Sequence, residues 1–481
     1  MLRFLKKHQL LLAILLLAVV LRCYRFNNPV LDWHSFRQAD TASVTREYIK
    51  HGIDVLHPHY QDLSNIQSGK ENLAGYRMVE FPIFNVLIAL IVRTIPLISQ
   101  EAASRIASIF FSIGTLLSLF YLVEKISGKK IAYATAIVGA CTPYFVYYSR
   151  VIMPEPMMLF SLTFSLATFY MWLSHKKFGF YCISLFFSIL AFLLKPFVIF
   201  VLPVFAVIAW VVQGKKVFKN ILLYPFPILS LLPLLWWRHW IIQFPSGIPA
   251  NDWLFNGDHI RFRPAWFRWL FWERLIKLIA GYTGVIFYFA SLYTLKRNEI
   301  LVYGTWWLGI IAYFSVIATG NVKHDYYQVL AVPIILITLG RGLVVVQELL
   351  AQKCSHKSSY LITGFIYFTA LYFAWQQVGG YFNVNHWEYL EAGKAVDQLV
   401  PKDAKVIAPA FGDTNFLYQT NRTGWPIGFS IDEKIEFGAQ YYITTSYDDE
   451  ARELESTYTT VSKTPKYLLL DLTKKSNKLK G

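Results

Sequence analysis

Charged residues are scarce in this sequence, and acidic residues are the scarcer sign. Only 16% of the 481 residues are charged, with 30 Asp and Glu against 46 Lys and Arg. An average soluble domain has about a quarter charged residues. The mean hydropathy is +0.39. This composition excludes an ordinary soluble globular protein.

Cysteine is also scarce, and its spacing is uninformative. The four cysteines have no paired spacing, and three lie in or beside apolar runs. This pattern predicts neither a disulfide framework nor a zinc site. We therefore expect no metal and no cofactor. The four positions are Cys23, Cys141, Cys182 and Cys354.

The positive formal charge of +16 does not predict binding to nucleic acid. Many of the basic residues lie in short loops between apolar runs, where charge is a signal of membrane topology. These loops contain Lys125, Lys129 and Lys130, then Lys176 and Lys177, then Lys215, Lys216 and Lys219, and finally Lys296 and Arg297.

Long apolar runs are abundant and predict a polytopic α-helical membrane protein, because a bilayer span requires roughly 17–25 such residues. We interpret the first run as a retained signal anchor with Lys6 and Lys7 in the cytoplasm, since Arg22 follows where a cleavage site needs small residues. The run 83–97 is short and contains Asn85 and Arg93. If it lies in the outer interface, all the basic loops face inside, which favours about eleven spans. The alternative is that 83–97 does span. The predicted spans are 9–25, 104–123, 131–148, 156–174, 178–195, 197–213, 220–237, 275–294, 299–318, 326–342 and 359–376.

The sequence changes character after residue 376. Residues 1–376 are predicted to form the transmembrane domain, whose first outer loop is 26–103. Residues 377–481 are polar and predict a small α/β domain outside the membrane. Its predicted elements are helices at 388–399, 432–439 and 449–457 and strands at 405–410, 441–446 and 466–472.

Ionisable residues gather in the segments that this topology places outside. His34, Arg37 and Asp40 lie within two turns of a predicted helix, so Arg37 and Asp40 are neighbours on it. A neighbouring guanidinium favours the ionised carboxylate that a general base requires. The alternative is an Asp–Arg pair that only stabilises an interfacial helix.

Other candidates lie at the mouths of predicted spans. Glu155 is flanked by prolines and is close to Arg150, and an acid at a membrane boundary is costly unless it is paired or functional. It could instead be a helix-capping residue. Lys195 could hold a phosphate or could be a snorkelling anchor. The segment KHDYY supplies an anion-binding option or an aromatic belt; its candidates are Lys323, His324, Tyr326 and Tyr327.

In order and spacing, these segments resemble the GT-C glycosyltransferases of the protein-mannosyltransferase and lipid A aminoarabinose-transferase type (glycosyltransferase family 39/83-like). HSFRQADTASVTREY matches the family's first outer loop. VEFPIFN, with Glu80, matches a proline-containing interfacial motif. SRVIMPEP, Lys195-Pro196 and KHDYY match later motifs. The resemblance covers about residues 1–345. The family's Asp-Glu pair is replaced by Arg37 and Gln38, so Asp40 is the best substitute, with Asp32 and Glu80 in reserve.

The resemblance implies transfer of a sugar from a polyprenyl-phosphate donor to a hydroxyl of an acceptor glycan, lipid or protein, with inversion and on the outer face of the inner (plasma) membrane. Asp40, Glu80 and Glu155 would be catalytic. The substrate-binding residues would be His34, Arg37, Arg150, Lys195, Lys323, His324, Tyr326 and Tyr327. We expect Arg37, Lys195 and Lys323 to surround one cavity that is open to lipid and also contains Asp40 and Glu155. Membrane lipids are the other expected partners.

Three alternatives remain open. A secondary transporter of an anionic or glycolipid substrate would place ionisable groups near the bilayer midplane, often in inverted repeats. Here the acids gather at one face instead. A non-catalytic envelope assembly protein would carry them dispersed. A polyprenyl-linked polymerase or ligase is close in chemistry to the transferase.

Overall fold

Helices form most of the chain, as the long apolar runs predict. The computed structural model describes residues 9–476, and the predicted cytoplasmic residues Lys6 and Lys7 lie outside this range. Six of the described helical segments are long and apolar enough to cross a membrane: Gln100–Ser127, Glu155–His175, Pro196–Lys219, Ile221–Ile241, Arg297–Val316 and Asp325–Ala351. The predicted number of about eleven spans stays a prediction.

Contacts divide the chain into two compact units. The first comprises residues 1–26, 105–239 and 251–381, and the second comprises residues 27–104, 240–250 and 382–481. The second unit therefore brings the predicted first outer loop together with the C-terminal sequence. The predicted domains 1–376 and 377–481 were defined by their location in the membrane or outside it. Contacts within the chain do not test that location, so the two domains stay a prediction.

The helices of the first unit follow most of the predicted spans, but the predicted span 275–294 is wrong as a single helix. The π-helix Arg268–Ile279 ends before Gly281 and Tyr282, which have left-handed backbone, and the next helix covers only Val285–Ala290. They are α1 (Gln9–Arg22), α4 (Gln100–Ser127, whose first turn belongs to the second unit), α5 (Lys129–Cys141), α6 (Pro143–Tyr148), α7 (Glu155–His175), α8 (Phe178–Leu194), α9 (Leu202–Gln213), α10 (Pro225–Ile241), α11 (Trp253–Asn256), α12 (Pro264–Phe267), α13 (Val285–Ala290), α14 (Arg297–Val316), α15 (Ala318–Lys323), α16 (Val332–Ala351) and α17 (His356–Val378). Short 3-10 segments are Pro196–Val201, Gly214–Lys219, Ile221–Leu223, Pro245–Gly247, Asp325–Ala331 and Gly379–Phe382, and Arg268–Ile279 is a π-helix.

The second unit contains the remaining elements. Its helices are α2 (Ser35–His51), α3 (Ile83–Thr94), α18 (Trp387–Leu399), α19 (Thr414–Gln419), α20 (Ile431–Glu436) and α21 (Asp449–Thr457). Its strands are β1 (Lys405–Ile407), β2 (Gly424–Trp425), β3 (Ala439–Thr444), β4 (Tyr458–Lys463) and β5 (Leu468–Lys475). Each predicted helix and strand overlaps an element of this unit, whereas α19, β2 and β4 were not predicted. The predicted α/β domain outside the membrane stays a prediction.

The five strands form one mixed sheet in the order β2-β1-β3-β5-β4. β1 is parallel to β2 and β3, whereas β5 is antiparallel to β3 and β4. Successive strand residues alternate between two cores. Val406 packs with α18 and α19 on one face, and Ile407 packs with Trp425 and Leu63 on the other. The sheet is therefore covered on both faces.

Buried arginines tie the helices of the first unit together. Arg22 is fully buried at the end of α1 and donates to the carbonyls of Gly139 and Ala140, near the carboxyl end of α5. The negative end of a helix dipole favours a cation at this place. Arg341 of α16 is paired with Glu299 of α14, and both are buried. These contacts satisfy charges that would be costly if unpaired in an apolar interior.

The predicted interfacial run 83–97 forms a helix of 12 residues, α3, which is about 18 Å long at 1.5 Å per residue. A span requires about 20 residues. Inside the second unit, Asn85 of α3 donates to the carbonyl of Thr41 and to the hydroxyl of Thr45 in α2. The short length and the polar contact support the interfacial interpretation.

Candidate functional site

Two ion pairs join α2 to the segment before α3 within the second unit. Arg37 is paired with Glu80, and Arg77 Nη2 lies 2.9 Å from Asp40 Oδ2. The four side chains are no more than 11% exposed. The helix predicted for the HSFRQAD segment is confirmed, but Arg37 and Asp40 do not pair with each other along it. Residues 77–80 offer each of them an opposite charge in the interior, where a charge must be compensated.

Asp40 is held by donors from three different parts of the second unit. Besides Arg77, its carboxylate accepts from Thr414 Oγ1 at 2.7 Å and from Gln67 Nε2 at 3.1 Å. Asp40 is only 2% exposed. Three side chains therefore donate to this one buried carboxylate. The arrangement fixes the position of Asp40 closely.

His34 and Asp32 precede α2 in an irregular segment. His34 has a φ of 54°, a left-handed conformation that is uncommon for a residue other than glycine. Its ring contacts Trp33 and Phe36, with centroids 5.0 and 5.9 Å away. The buried Asp32 accepts from Gln38 Nε2 at 2.6 Å. Asp32, the reserve candidate for the base, is therefore ordered by the same helix as Asp40.

Two further buried acids in the second unit were missed by the sequence interpretation. Burial raises the pKa of Asp62 to about 7, and the charge of Asp40 contributes in the same direction. Burial also raises the pKa of Asp413 to about 6, again with a contribution from Asp40. Neither residue lies in a motif. The loop after α2 brings Asp62 near Asp40, and the C-terminal sequence brings Asp413 near it. Asp62 and Asp413, both near Asp40, should therefore change their protonation near neutral pH.

Four of the predicted residues line one small pocket within the first unit. They are Glu155, Lys195, Tyr326 and Tyr327, and Phe197 and Tyr313 lie beside them. Lys195 Nζ lies 3.0 Å from Glu155 Oε1, with side-chain exposures of 14% and 4%. Glu155 Oε2 is buried without a hydrogen-bond partner. Glu155 therefore keeps one carboxylate oxygen, Oε2, that could accept a hydrogen bond, as its expected role in a polar site requires.

Prolines position this pair of charges. Pro154 and Pro156 begin α7, where the first turn does not need their missing N–H groups, so Glu155 lies at the start of the helix. α8 ends at Leu194 because Pro196 drives the preceding residue out of the helical region, and Lys195 is extended with φ −153°. Both charges consequently lie at helix ends, beside a pocket whose volume of about 20 Å³ is enough for roughly one water molecule.

Arg150 is buried, with 1% of its surface exposed. Its guanidinium donates to the carbonyls of Tyr24 and Arg25, each at 3.1 Å. These contacts anchor the end of α1 to the segment after α6. The predicted substrate-binding role of Arg150 stays a prediction.

Lys323 and His324 lie at the end of α15. Lys323 Nζ is 3.1 Å from Asp258 Oδ2, and both side chains are well exposed. The ring of His324 contacts Trp253 with centroids 5.7 Å apart. Asp258 is a partner that the sequence interpretation did not anticipate, because it lies in the Trp- and Arg-rich segment 238–274. A surface pair of this kind is weak and can open for a ligand.

Asp325, in the middle of the KHDYY segment, was also missed. It is 1% exposed, and its carboxylate accepts from the hydroxyl groups of Tyr148 (2.9 Å) and Tyr381. The hydroxyl of Tyr144 donates to its carbonyl at 2.6 Å. The sequence contained a signal for this residue, because an acid stands directly before Tyr326 and a buried carboxylate needs donors such as tyrosine hydroxyls.

The candidate residues thus form two groups, each inside one unit. Arg37, Asp40 and Glu80 are brought together in the second unit, and Glu155 and Lys195 are brought together with two tyrosines in the first. The expectation that the cations surround one shared cavity stays a prediction. In the part of the chain from residue 9 to residue 476, no group of three His, Cys, Asp or Glu side chains is arranged to hold a metal ion.

Comparisons with known proteins identify the class to which this architecture is similar. The family model described as dolichyl-phosphate-mannose-protein mannosyltransferase matches residues 82–239. The sequence has no match among curated proteins. The family resemblance found in the motifs is confirmed by this match and by the structural comparisons.

Two solved structures are similar to this chain along most of its length. ArnT from Cupriavidus metallidurans, bound to undecaprenyl phosphate, matches with a TM-score of 0.67 and 12% identity over 96% of this chain and 98% of that one. The archaeal oligosaccharyltransferase AglB from Archaeoglobus fulgidus, in complex with an inhibitory peptide and a dolichol-phosphate, matches with a TM-score of 0.58 and 12% identity over 96% of this chain and 74% of that one. The chain has the GT-C glycosyltransferase fold.

Proposed function

We propose that the protein is a glycosyltransferase that moves a sugar from a polyprenyl-phosphate carrier to an acceptor hydroxyl. The observation that carries the proposal is the match to ArnT along almost the whole of both chains. That structure contains undecaprenyl phosphate, and the AglB structure contains a dolichol-phosphate. Both ligands are phosphorylated polyprenyl lipids, so a donor of the same chemical class is the best candidate here.

The proposed reaction is a single displacement at the anomeric carbon. The acceptor oxygen forms a bond to this carbon while the bond from the carbon to the carrier phosphate breaks. The acceptor proton passes to a carboxylate, and the bonding electrons leave with the phosphate. Attack from the opposite side inverts the anomeric configuration. A positioned base contributes about 10²–10⁴-fold to such a step.

Asp40 is the proposed base, with Glu80 and Glu155 as the other catalytic acids. Arg77 and Thr414 hold the carboxylate of Asp40 in place, and an acceptor hydroxyl would replace one of its present donors. Glu80 would be held by Arg37. The free Oε2 of Glu155 would accept a hydrogen bond from the substrate.

The proposed phosphate ligands are cations, because charge on the leaving phosphate grows in the transition state. They are Arg37, Arg150, Lys195, Lys323 and His324, with Tyr326 and Tyr327 as neutral donors and His34 as a contact to the sugar. Lys195 is supported best, since a phosphate oxygen could replace Glu155 Oε1 as the partner of its ammonium group. Lys195→Met should weaken donor binding while keeping the apolar stem of the side chain.

The proposed location is the inner membrane, with about eleven spans and with the reaction and residues 377–481 on the outer face. The six long apolar helices support a location in a membrane. The polyprenyl tail of the donor would stay in the bilayer while the sugar reaches the polar segments. The second unit supplies the acids and the sheet that such a site needs outside the lipid.

The test is donor consumption by the purified protein with a panel of polyprenyl-phosphate sugars. The panel should contain hexosyl, pentosyl and aminopentosyl donors on the same carrier. At least one should be consumed when cell-envelope extract supplies the acceptor, and the preferred sugar identifies the donor. Consumption of none, under conditions in which the protein binds the carrier, would contradict the proposal.

A further inference from the structure

A second pocket lies within the second unit, away from the residues assigned above. It has a volume of about 330 Å³. Its walls come from the carboxyl end of α2, the loop that follows, the turn around Gly75, and Lys405 and Thr423 near β1 and β2. Ligand pockets of proteins usually begin at about 300 Å³. The pocket is therefore large enough for a small ligand.

The polar groups of this pocket are held in place. Asp54 Oδ2 lies 2.9 Å from His57 Nδ1, and Asp54 Oδ1 accepts from the backbone N–H of Leu56 at 3.0 Å. Burial opposes ionisation of Asp54, but these hydrogen bonds outweigh it and lower the pKa of the carboxyl. His59 Nδ1 is 2.7 Å from the carbonyl of Ala74, so this nitrogen carries the proton and Nε2 is the acceptor in the neutral ring.

Aromatic rings support the two histidines from behind. The ring centroid of His57 lies 5.2 Å from that of Phe244 and 5.8 Å from that of Trp240. The ring of His59 lies 4.8 Å from that of Tyr76 at an angle of 34°. Trp240 Nε1 is itself fixed by the carbonyl of Leu56 at 3.0 Å. Both histidine rings are therefore packed against aromatic side chains of the same unit.

Glu47 supplies a largely buried charge to the pocket. Its side chain is 12% exposed and lies 3.4 Å from the ring of His51, which is 74% exposed. Glu47 is seven residues after Asp40 on α2, which places the two acids on one face of the helix about 10 Å apart along its axis. A ligand of one or two sugar units could extend over this distance.

The chemistry of the lining favours a neutral saccharide. The hydroxyl groups of a sugar are donors for the carboxylates of Glu47 and Asp54 and for an imidazole nitrogen, and its apolar C–H face packs on flat rings. An anion would meet two carboxylates, and Lys405 is the one lysine of the lining, beside three histidines of which two are already in contact with these carboxylates. A bound metal ion has no support in the described part of the chain, which holds no group of three suitable side chains.

We infer that this pocket binds a neutral saccharide unit. Under the proposed function, on which this role rests, the saccharide belongs to the acceptor or to the product. The pocket would hold the glycan on α2 while another part of it reaches Asp40.

The test is saturation-transfer difference NMR on the full chain in detergent, with the methyl glycosides of mannose, glucose, galactose and N-acetylglucosamine as probes. At least one should receive saturation. Glu47→Gln should weaken its binding about tenfold, as expected for the loss of one charge-assisted hydrogen bond. His57→Phe keeps the ring packing, removes both nitrogens and should also weaken binding. Glu453→Gln, an exposed acid on α21 of the same unit, is the matched control and should leave binding unchanged.

The inference is overturned if none of the four probes binds, or if both pocket variants bind as the unmodified protein does. It is also overturned if zinc, titrated alone, binds and loses its affinity in Glu47→Gln, or if inorganic phosphate, titrated alone, binds and gains affinity in the same variant. Thermal unfolding of each variant shows whether the variant is folded. The inference requires that both folded variants bind the probe more weakly than the unmodified protein. Donor consumption is measured on the same preparations. Binding without consumption contradicts only the proposed function, whereas consumption without binding contradicts only the pocket.

Discussion

At the scale of single residues, Asp40 and Glu80 are each paired with an arginine, and both pairs join α2 to the segment 77–80. Thr414 and Gln67 also donate to Asp40. Its carboxylate is therefore fixed in position, and an acceptor hydroxyl would have to replace one of these donors. The two acids can be separated by amide substitutions, which keep the shape and remove the charge.

Asp40→Asn should lower turnover by about 10²–10⁴-fold while donor binding stays within a few-fold, because the amide cannot accept the proton. The measurement is the rate of donor consumption beside the dissociation constant of the donor lipid. Glu80→Gln and Asp32→Asn serve as comparison variants. Near-normal turnover of Asp40→Asn, with loss of turnover in one of the others, would assign the base to that residue.

Asp62 should make the stability of the protein dependent on pH. Its pKa is raised to about 7 in the folded chain by burial, above the ordinary value of 3.8. The folded state therefore binds the proton more tightly, and the stabilisation present at low pH is lost as the pH rises from about 4 to about 7. At 1.36 kcal/mol per pKa unit, the loss is at most roughly 4 kcal/mol.

This dependence is measured by thermal unfolding between pH 4 and pH 8. Asp62→Asn cannot ionise, so its melting temperature relative to that of the unmodified protein should increase steadily through this interval. Asp432→Asn, on the surface of α20 in the same unit, should follow the unmodified protein at every pH. A constant difference between Asp62→Asn and the unmodified protein would show that Asp62 does not titrate in this range.

At the scale of elements, the 3-10 segment Asp325–Ala331 links a buried network to the predicted tyrosines. Asp325 begins the segment and is held by Tyr148 and Tyr381, and Tyr326 and Tyr327 follow it directly. The carboxylate therefore fixes the backbone from which both pocket tyrosines project. We propose that Asp325 is a positioning residue for the pocket that contains Lys195.

Asp325→Asn should raise the KM for the donor several-fold more than it lowers kcat, because the pocket is loosened while the acids are untouched. Tyr148→Phe removes only one of the hydroxyl donors and should give a smaller change in the same direction. Steady-state kinetics at varied donor concentration separate the two constants. Tyr372→Phe on the exposed side of α17 is the control. An equal loss of kcat with an unchanged KM would contradict the positioning role.

The sequence allowed the regular elements to be predicted better than the contacts among them. The apolar runs located the long helices, and Pro154, Pro156 and Pro196 located helix ends, because these signals act locally. β4 was missed since it follows α21 without a turn signal and is stabilised by pairing with β5. The pairing of Asp40 with Arg77 and the burial of Asp62 depend on contacts between distant segments, which no local pattern encodes.

At the scale of the whole molecule, the proposed topology can be tested without any substrate. Single cysteines at Lys129 and Lys215, in a variant without the native cysteines, should react with a membrane-impermeant maleimide only after the membrane is opened. A cysteine at Glu453 should react in intact cells, because the C-terminal segment is proposed to lie outside. Lys129, Lys215 and Glu453 are all exposed, so burial does not limit their labelling. Reaction at position 129 in intact cells would contradict the eleven-span arrangement.

The measurement that tests the central claim most directly follows the carrier in proteoliposomes loaded with a labelled polyprenyl-phosphate sugar. A transferase should release free polyprenyl phosphate in equal amount to the sugar joined to the acceptor, and the new glycosidic bond should have the inverted anomeric configuration. Asp40→Asn should abolish both products together. Intact donor that moves from one leaflet to the other, with no free carrier phosphate and no new bond, would contradict the account and would indicate a transporter.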